Sequence, residues 1–477
     1  MAISTKKQEV FSADEIKSGI LSHLEGNDLY QKVSSHLACL DYNPDFEEEN
    51  LKAEKWLEWA VGVKELKVIH QAVPVGILPN GYQGTLIDVK VFSKRGPDDG
   101  IYDNNEEIRA KVARGNTFLH IDNGPYHGTT CILYAMKKFT GGLGDDDDKE
   151  KGDNHTWKKY FTKPIKSTNS IVATRKANGE AAHLSCRNID GEFLLCGGSK
   201  NVHMLFRKKL DIKRYPEDRF RIAREVCKTV MDVLEQMDPN DKHRLLSFLA
   251  LTHYTAVFEI LAPHHQHVED LSYLSSPQLK FITWTLSDLE PSKENQLCTV
   301  PPHIGIEIAR ALGLTTVDYE MLPLSHVENR MKRIREGYSY EGEVLYFLDS
   351  SGSVMGLLKK KTIWYILCRA IREKVRGACA SAEKSPNNYS VSKSINMTEK
   401  RITEIQEWLG LDEDSVRAWK DIAMRFLKWC LHRCESGNLS AADIMDQFPV
   451  LWKLHLEESG MTDRILACWQ EPSGSES

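Results

Sequence analysis

No run of about eighteen consecutive apolar residues occurs in this chain of 477 residues, so no membrane-spanning helix is expected. The opening Met1-Ala2-Ile3-Ser4-Thr5-Lys6-Lys7 lacks the apolar core of a signal peptide; the expectation is a protein that is not secreted and works in the cytoplasm or the nucleus. No Cys-x-x-Cys pair is present, which argues against a zinc ribbon. The eleven cysteines are an odd number and read as free thiols of a reducing compartment. Cys430 and Cys434 stand one helical turn apart, a spacing that two residues on one helix face explain without a metal. No solenoid repeat is apparent. A strong charge of either sign is lacking too, the net being −6. That leaves nucleic acid open as a partner, because local patches decide binding. Two such patches are Arg207-Lys208-Lys209 with Lys213, Arg214, Arg219, Arg221 and Arg224, and Lys332-Arg333-Ile334-Arg335.

The chain is long enough for two to four domains. Residues 12 to 60 read as helical, with Ser12 as a cap and Ile16, Ile20, Leu21 and Leu24 at helical spacing. From 61 to 140 the pattern is of short strands broken by Pro79-Asn80-Gly81, Arg95-Gly96-Pro97 and Asn123-Gly124-Pro125. Gly141 to Asn154, with four successive aspartates, reads as an acidic linker. Strands and helices alternate from there to about 380, and Thr398 to Trp469 reads as all helix, cored by Trp408, Trp419, Phe426 and Trp429. The expected class is α+β. It comprises a mostly β N-terminal unit with a helical start (1–155), a central domain of antiparallel sheets with flanking helices (156–380) and an all-helical C-terminal domain (381–477).

Chemistry is suggested by an ordered series of short motifs. The apolar run Ser170 to Thr174 leads into Lys176-Ala177-Asn178-Gly179. A hairpin follows, turning at Asn188-Ile189-Asp190-Gly191 and ending at Ser199-Lys200-Asn201. Farther on come Phe258-Glu259-Ile260-Leu261, the segment Phe281 to Leu286, Glu341-Gly342-Glu343-Val344 and Leu357-Leu358-Lys359-Lys360-Lys361. On a strand, Lys359 and Lys361 point to one face and Lys360 to the other. His264-His265-Gln266-His267 offers two histidines on one face with no third ligand at familiar spacing, and reads as a surface or RNA-contacting loop.

From about Lys163 to Lys374 this series resembles the covalent nucleotidyltransferases, the superfamily of polynucleotide ligases and capping enzymes. Order and spacing are most similar to phage-type ATP-dependent RNA ligases, which join a 5′-phosphate to a 3′-hydroxyl, and within them to an animal branch represented in a lancelet. The resemblance implies a nucleotidyltransferase fold for the central domain and a cycle through lysyl-AMP and adenylylated RNA. It implies ATP as substrate, Mg2+ or Mn2+ as cofactor, and RNA with 5′-phosphate and 3′-hydroxyl ends as partner, in RNA repair or processing by a monomer. Lys176 would be the nucleophile, and Gly179 would let a phosphate approach. Lys200 stands where the family has an arginine for phosphate. Glu259 would hold the ribose hydroxyls, although Phe258 replaces the family's preceding glycine. Trp284, or else Phe281, would stack on adenine. Glu341 would help bind the divalent ion, and Lys359 and Lys361 would hold the α-phosphate. A free amine titrates near ~10.4, so two lysines aimed at the site are expected to lower the pKa of Lys176. A GTP-using capping enzyme shares the motifs, as would a non-catalytic RNA-binding protein on the same fold. Against the latter, Lys176, Glu341, Lys359 and Lys361 are intact.

Overall fold

A computed structural model describes residues 9–94, 98–139, 160–290, 297–385, 387 and 389–465. The acidic linker from Gly141 to Asn154 and the first seven residues lie outside them, as does the end of the helical tail at Trp469. No helix among the described residues is long and apolar enough to cross a membrane. The ten cysteines described are all free.

Three helices come first, α1 (Ala13–Ser22), α2 (Tyr30–Ala38) and α3 (Phe46–Gly62). Ser12 and Glu15 close α1 with a reciprocal capping box, and the Asp45 carboxylate accepts from the Glu48 N–H at the start of α3. Then follow β1 (Leu66–Ala72), β2 (Gly84–Val91), the short helices α4 (Asp99–Asn104) and α5 (Glu106–Lys111), β3 (Asn116–Ile121) and β4 (Gly128–Tyr134). The strands form an antiparallel meander in chain order. The tilted ring contact of Trp56 with Phe118, 5.1 Å between centroids, packs α3 on this sheet.

The middle of the chain builds two further antiparallel sheets. The elements are β5 (Ser170–Arg175), β6 (Glu180–Ile189), β7 (Glu192–Ser199), β8 (Val202–Phe206), α6 (Lys209–Ile212), α7 (Arg221–Gln236) and α8 (Pro239–Thr252). They continue with β9 (Thr255–Leu261), β10 (Gln278–Thr285), α9 (Pro302–Ala311), β11 (Tyr319–Pro323), α10 (Val327–Arg335), β12 (Gly342–Leu348) and β13 (Val354–Lys361). One sheet has the order β10-β9-β6-β7-β8, the other β11-β5-β12-β13. The stretch from Arg219 to Leu251, apolar at helical spacing throughout, holds two helices and not one, because Pro239 starts α8 with no N–H to give. The turn between β6 and β7 has positive φ at both Asp190 (53°) and Gly191 (82°), the conformation that suits the twist of a tight hairpin.

Four long helices come last among the described residues: α11 (Ile363–Lys384), α12 (Val391–Leu409), α13 (Glu413–Glu435) and α14 (Ala441–Ser459). Their shared core includes Ile371, Cys379, Trp419, Phe426, Phe448 and Trp452. A separate, larger core runs without interruption from the N-terminal helices to the five-stranded sheet. It includes Ile16, Ile20, Leu119 and Ile132 together with Leu184, Cys196, Phe206, Val226 and Phe248. The N-terminal segment is therefore bonded into the molecule by the hydrophobic effect, not tethered beside it.

The junction of the two central sheets positions the site. β5 belongs to the four-stranded sheet and β6 to the five-stranded one, and only Lys176 to Gly179 lie between them. The Lys176 N–H donates to the Gly342 carbonyl at 2.9 Å, which pins this crossing to the start of β12. Gly342 has φ +147°, and a Cβ there would stand 2.1 Å from the Lys360 carbonyl oxygen. Gly342→Ala is expected to cost at least about 2 kcal/mol, from backbone strain plus overpacking. Urea denaturation measures this; an unchanged midpoint would show that the β12–β13 pair does not need glycine.

Candidate active site

Lys176 is the only residue of the crossing whose side chain reaches a carboxylate as an ion pair among the described residues: its Nζ lies 3.0 Å from Glu341 Oε2. Glu341 is itself buried (3% exposed). The same Oε2 accepts from Asn178 Nδ2 at 2.8 Å. Asn178 is held at both ends, since its Oδ1 accepts from the N–H groups of Val268 and Glu269, each at 3.1 Å, and its Nδ2 also donates to the Tyr365 hydroxyl at 3.2 Å. Such a fully satisfied buried amide fixes its neighbours in place. Two more carboxylates close the cluster. Glu259 Oε1 accepts from the Gly179 N–H at 3.1 Å, and Glu269 Oε1 accepts from the Glu341 N–H at 2.6 Å.

Burial works against the charge on Lys176, but Glu341, Glu259 and Glu269 outweigh it and hold the ammonium above its ordinary range. The expected depression of this pKa is thus reversed in the structure, because carboxylates and not lysines are its immediate neighbours. Burial also pushes the Glu259 carboxyl up, against the pull of Lys176 and with the push of Glu341. Burial raises Glu269 to about 7, partly offset by the Glu341 N–H and Arg175.

A cavity of about 200 Å³ opens beside Lys176 between the two central sheets. Thr174, Val344, Tyr346 and Lys359 line it from the four-stranded sheet, and Ala181, His183, Val257, Glu259 and Ile282 from the five-stranded one. The N-terminal segment supplies Arg114, Met136, Lys137, Lys138 and Phe139. The Lys359 ammonium sits over the Phe139 ring, 4.7 Å from its centroid. Of the N-terminal cations, Arg114 pairs with Asp98 (3.0 Å), Lys137 with Asp288 (2.6 Å) and Lys138 with Asp99. A larger hollow of about 540 Å³ lies elsewhere, but Asp41, Asp45, Glu48, Glu49, Asp288 and Glu290 line it, and such a wall repels an anionic ligand.

The structure brings Lys176, Glu259, Glu341 and Lys359 together and treats the other expected site residues differently. Trp284 and Phe281 are fully buried and pack on each other at 4.6 Å, and Trp284 Nε1 donates to the Gly305 carbonyl at 2.9 Å. Neither ring lines the cavity, so neither can stack on a base there. The reason is a bulge in β10: Phe281 pairs with Phe258, Thr283 with Val257 and Trp284 with Ala256, so the extra residue Ile282 leaves both rings on the core face. Ile282 is the residue that lines the cavity. Gly179 is also corrected. The face on which a side chain would stand meets protein and not an open approach for phosphate, since a Cβ would lie 2.0 Å from the Ile260 carbonyl oxygen. Lys200 lies outside the cavity wall and pairs with Asp98 at 3.1 Å, the same carboxylate that holds Arg114. Lys361 pairs with Gly342 across the hairpin and is buried (7% exposed); its carbonyl accepts from buried Arg335 at 2.8 Å, and its side chain does not line the cavity. The basic stretches are partly spent internally: Lys209 bridges Asp232 and Glu235, and Arg224 donates to the Tyr215 and Glu217 carbonyls.

Glu269, Arg114, Lys137 and Lys138 were not among the expected site residues, and Asn178 was expected only as part of the turn after Lys176. Asn178 sits inside the Lys-x-x-Gly motif and could have been noticed as a polar residue between strands. The others come from segments whose proximity to Lys176 only the fold creates.

Antiparallel sheets, flanking helices, a closing helical bundle and a cavity around a lysine–carboxylate pair define an α+β protein with one built polar site between two sheets. Residues 81–372 match the family model described as a domain of unknown function, DUF7920, and the chain belongs to that family. The matched span contains every cavity residue named above. Among curated proteins none matches. A solved structure with some similarity is a mutant of the RNA ligase of Naegleria gruberi with ATP and Mn; it is 11% identical, covers 64% of this chain and 98% of its own, and has a TM-score of 0.30.

The raised pKa of Glu269 has a consequence for stability. Its unfolded value is near ~4.3, so between there and about 7 the folded chain keeps a proton that the unfolded chain has lost. Stability from this group therefore falls as pH rises through that window and levels off above it. Glu269→Gln removes the slope while keeping an acceptor for the Glu341 N–H. Its melting temperature is expected to gain on the parent's as pH goes from about 4 to about 8. Parallel melting curves for the two proteins would contradict this.

Proposed function

We propose that this chain is an ATP-dependent RNA ligase that joins an RNA 5′-phosphate to a 3′-hydroxyl through AMP bound covalently to Lys176. One observation carries the reading: residues of five separated sequence motifs or segments meet at one cavity, with Lys176 Nζ 3.0 Å from Glu341 and Glu259 and Lys359 on the same walls. In the first step Nζ forms a bond to the α-phosphorus of ATP as the bond to pyrophosphate breaks, and the amine's proton has Glu341 Oε2 as its nearest acceptor. Lys359 meets charge on the α-phosphate, and Arg114, Lys137 and Lys138 meet the departing pyrophosphate. Val257, Ile282, Val344 and Tyr346 give the apolar walls that a base requires, in place of the aromatic sandwich. AMP then passes to the RNA 5′-phosphate, and the 3′-hydroxyl displaces it to close the phosphodiester. Each step is an in-line displacement governed by positioning and charge.

Glu259, Glu269 and Glu341 are the carboxylates that act on Lys176; burial raises Glu259 and Glu269, with Glu341 adding to each, and oxygen donors of this kind are what a hard divalent cation such as Mg2+ or Mn2+ takes. Bound there, the ion would neutralise phosphate charge and relieve the carboxylates' hold on the Lys176 ammonium.

Incubation with α-labelled ATP is expected to label the chain, and Lys176→Ala to abolish labelling. Glu341→Gln is expected to lower the rate of labelling about a hundredfold to a thousandfold. Labelling of Lys176→Ala at the parent's level would remove the proposal. Labelling from GTP in place of ATP would turn it toward a capping-type guanylyltransferase. Sealing of a 5′-phosphorylated RNA by the labelled protein completes the test.

A further inference from the structure

Away from the Lys176 cavity, the loop after β9 carries His265 and His267 back toward the first residue of β6, Glu180, which is 87 positions from His267 in the chain. Glu180 Oε1 lies 3.5 Å from His265 Nε2 and 3.2 Å from His267 Nε2. The ligand atoms of all three residues fall within 4.8 Å of one another. Two ligand atoms bound tetrahedrally at the usual zinc distances lie about 3.3 Å apart, which is the spacing found to Glu180. The two histidine rings are set edge to face at 83°, so both nitrogens can aim at one point.

A second feature belongs to metal sites in particular. The other ring nitrogen of His265, Nδ1, lies 2.6 Å from Asp446 Oδ1. A carboxylate behind a histidine fixes its tautomer and orientation and makes the metal-facing nitrogen a better donor. Asp446 is on α14, immediately before the kink at Gln447 (φ −130°, ψ 22°) that precedes Pro449. Pro449 has no N–H and displaces the preceding turn, and the carbonyls so released are recaptured. Arg372 donates to the Met445 carbonyl at 2.5 Å, and the Gln266 N–H to the Asp446 carbonyl at 2.7 Å. Gln266 is buried between its two histidine neighbours (1% exposed), and its side chain bonds Pro263, Leu271 and Gln447. The loop is thus held rigidly, with both histidines presented to Glu180.

We propose that Glu180, His265 and His267 form a Zn2+ site, with Asp446 orienting His265 and solvent as the fourth ligand. The site fastens the β9–β10 loop to the kink of α14. The same loop continues into Val268 and Glu269, whose N–H groups hold Asn178 beside Lys176. Bound zinc would therefore stiffen the support of the reactive lysine without touching it.

The test uses the full chain, stripped on a chelating resin and titrated with Zn2+ by calorimetry and by competition with a chromogenic chelator, in excess Mg2+. The expected result is one tight equivalent, weakened at least about a hundredfold in His267→Gln and about tenfold to a hundredfold in Asp446→Asn. Glu341→Gln should bind zinc as the parent does. Co2+ in place of Zn2+ should give the intense visible absorption of a tetrahedral site. No saturable zinc binding, unchanged affinity in His267→Gln, or only the faint spectrum of six-coordinate Co2+ in the parent protein would each overturn the site. Because the parent's cobalt spectrum needs no variant, a folding defect in His267→Gln leaves the test intact. None of these readouts depends on nucleotide transfer.

Discussion

The pair formed by the Lys176 ammonium and the Glu341 carboxylate is the interaction around which the central architecture is arranged. It stands at the edge of the four-stranded sheet where the chain leaves for the five-stranded one, because Lys176 begins the crossing from β5 to β6 and Glu341 immediately precedes β12, the neighbour of β5. A buried ion pair is stable only where its remaining hydrogen-bonding capacity is met. Here Asn178 meets it, donating to Glu341 and to the Tyr365 hydroxyl of α11 and accepting from the backbone of the β9–β10 loop. Three distant parts of the chain are thereby committed to one geometry.

The cavity wall carries both signs of charge. Glu259 lines it together with Arg114, Lys137, Lys138 and Lys359, while Glu341 and Glu269 act on Lys176 without lining it. The N-terminal cations already hold aspartates, so an anionic ligand competes with existing partners and does not meet naked charge. A polyphosphate accompanied by a cation complements both signs of charge at once. That complementarity, and not any single motif, is the physical argument for nucleotide chemistry at this place.

The helical bundle is joined to the sheets through a defect. A proline within α14 frees backbone carbonyls, and Arg372 and Gln266 fill the vacancy. The loop caught in this way is the one that supports Asn178. Packing at the bundle and order at the lysine are consequently linked by hydrogen bonds that can be followed residue by residue.

Much of the secondary structure was legible locally, since hairpins such as β6–β7 and β12–β13 declare themselves by alternation and by turn residues such as Asp190-Gly191. The α+β class followed from those patterns, and Lys176, Glu259, Glu341 and Lys359 were visible as ordered motifs. The two aromatic assignments failed because a one-residue bulge in β10 changes which side chains share a face, and no local pattern marks it. The direction of the Lys176 pKa failed because it depends on distances to carboxylates, not on their order in the chain. Arg114, Lys137 and Lys138 were beyond reach for the same reason: the continuous N-terminal core, a non-local packing event, carries them to the cavity. The sequence by itself determined which strands could form and which residues had reactive chemistry to offer. Only the tertiary structure decided which of them meet, because burial and charge act through space and the chain records only succession.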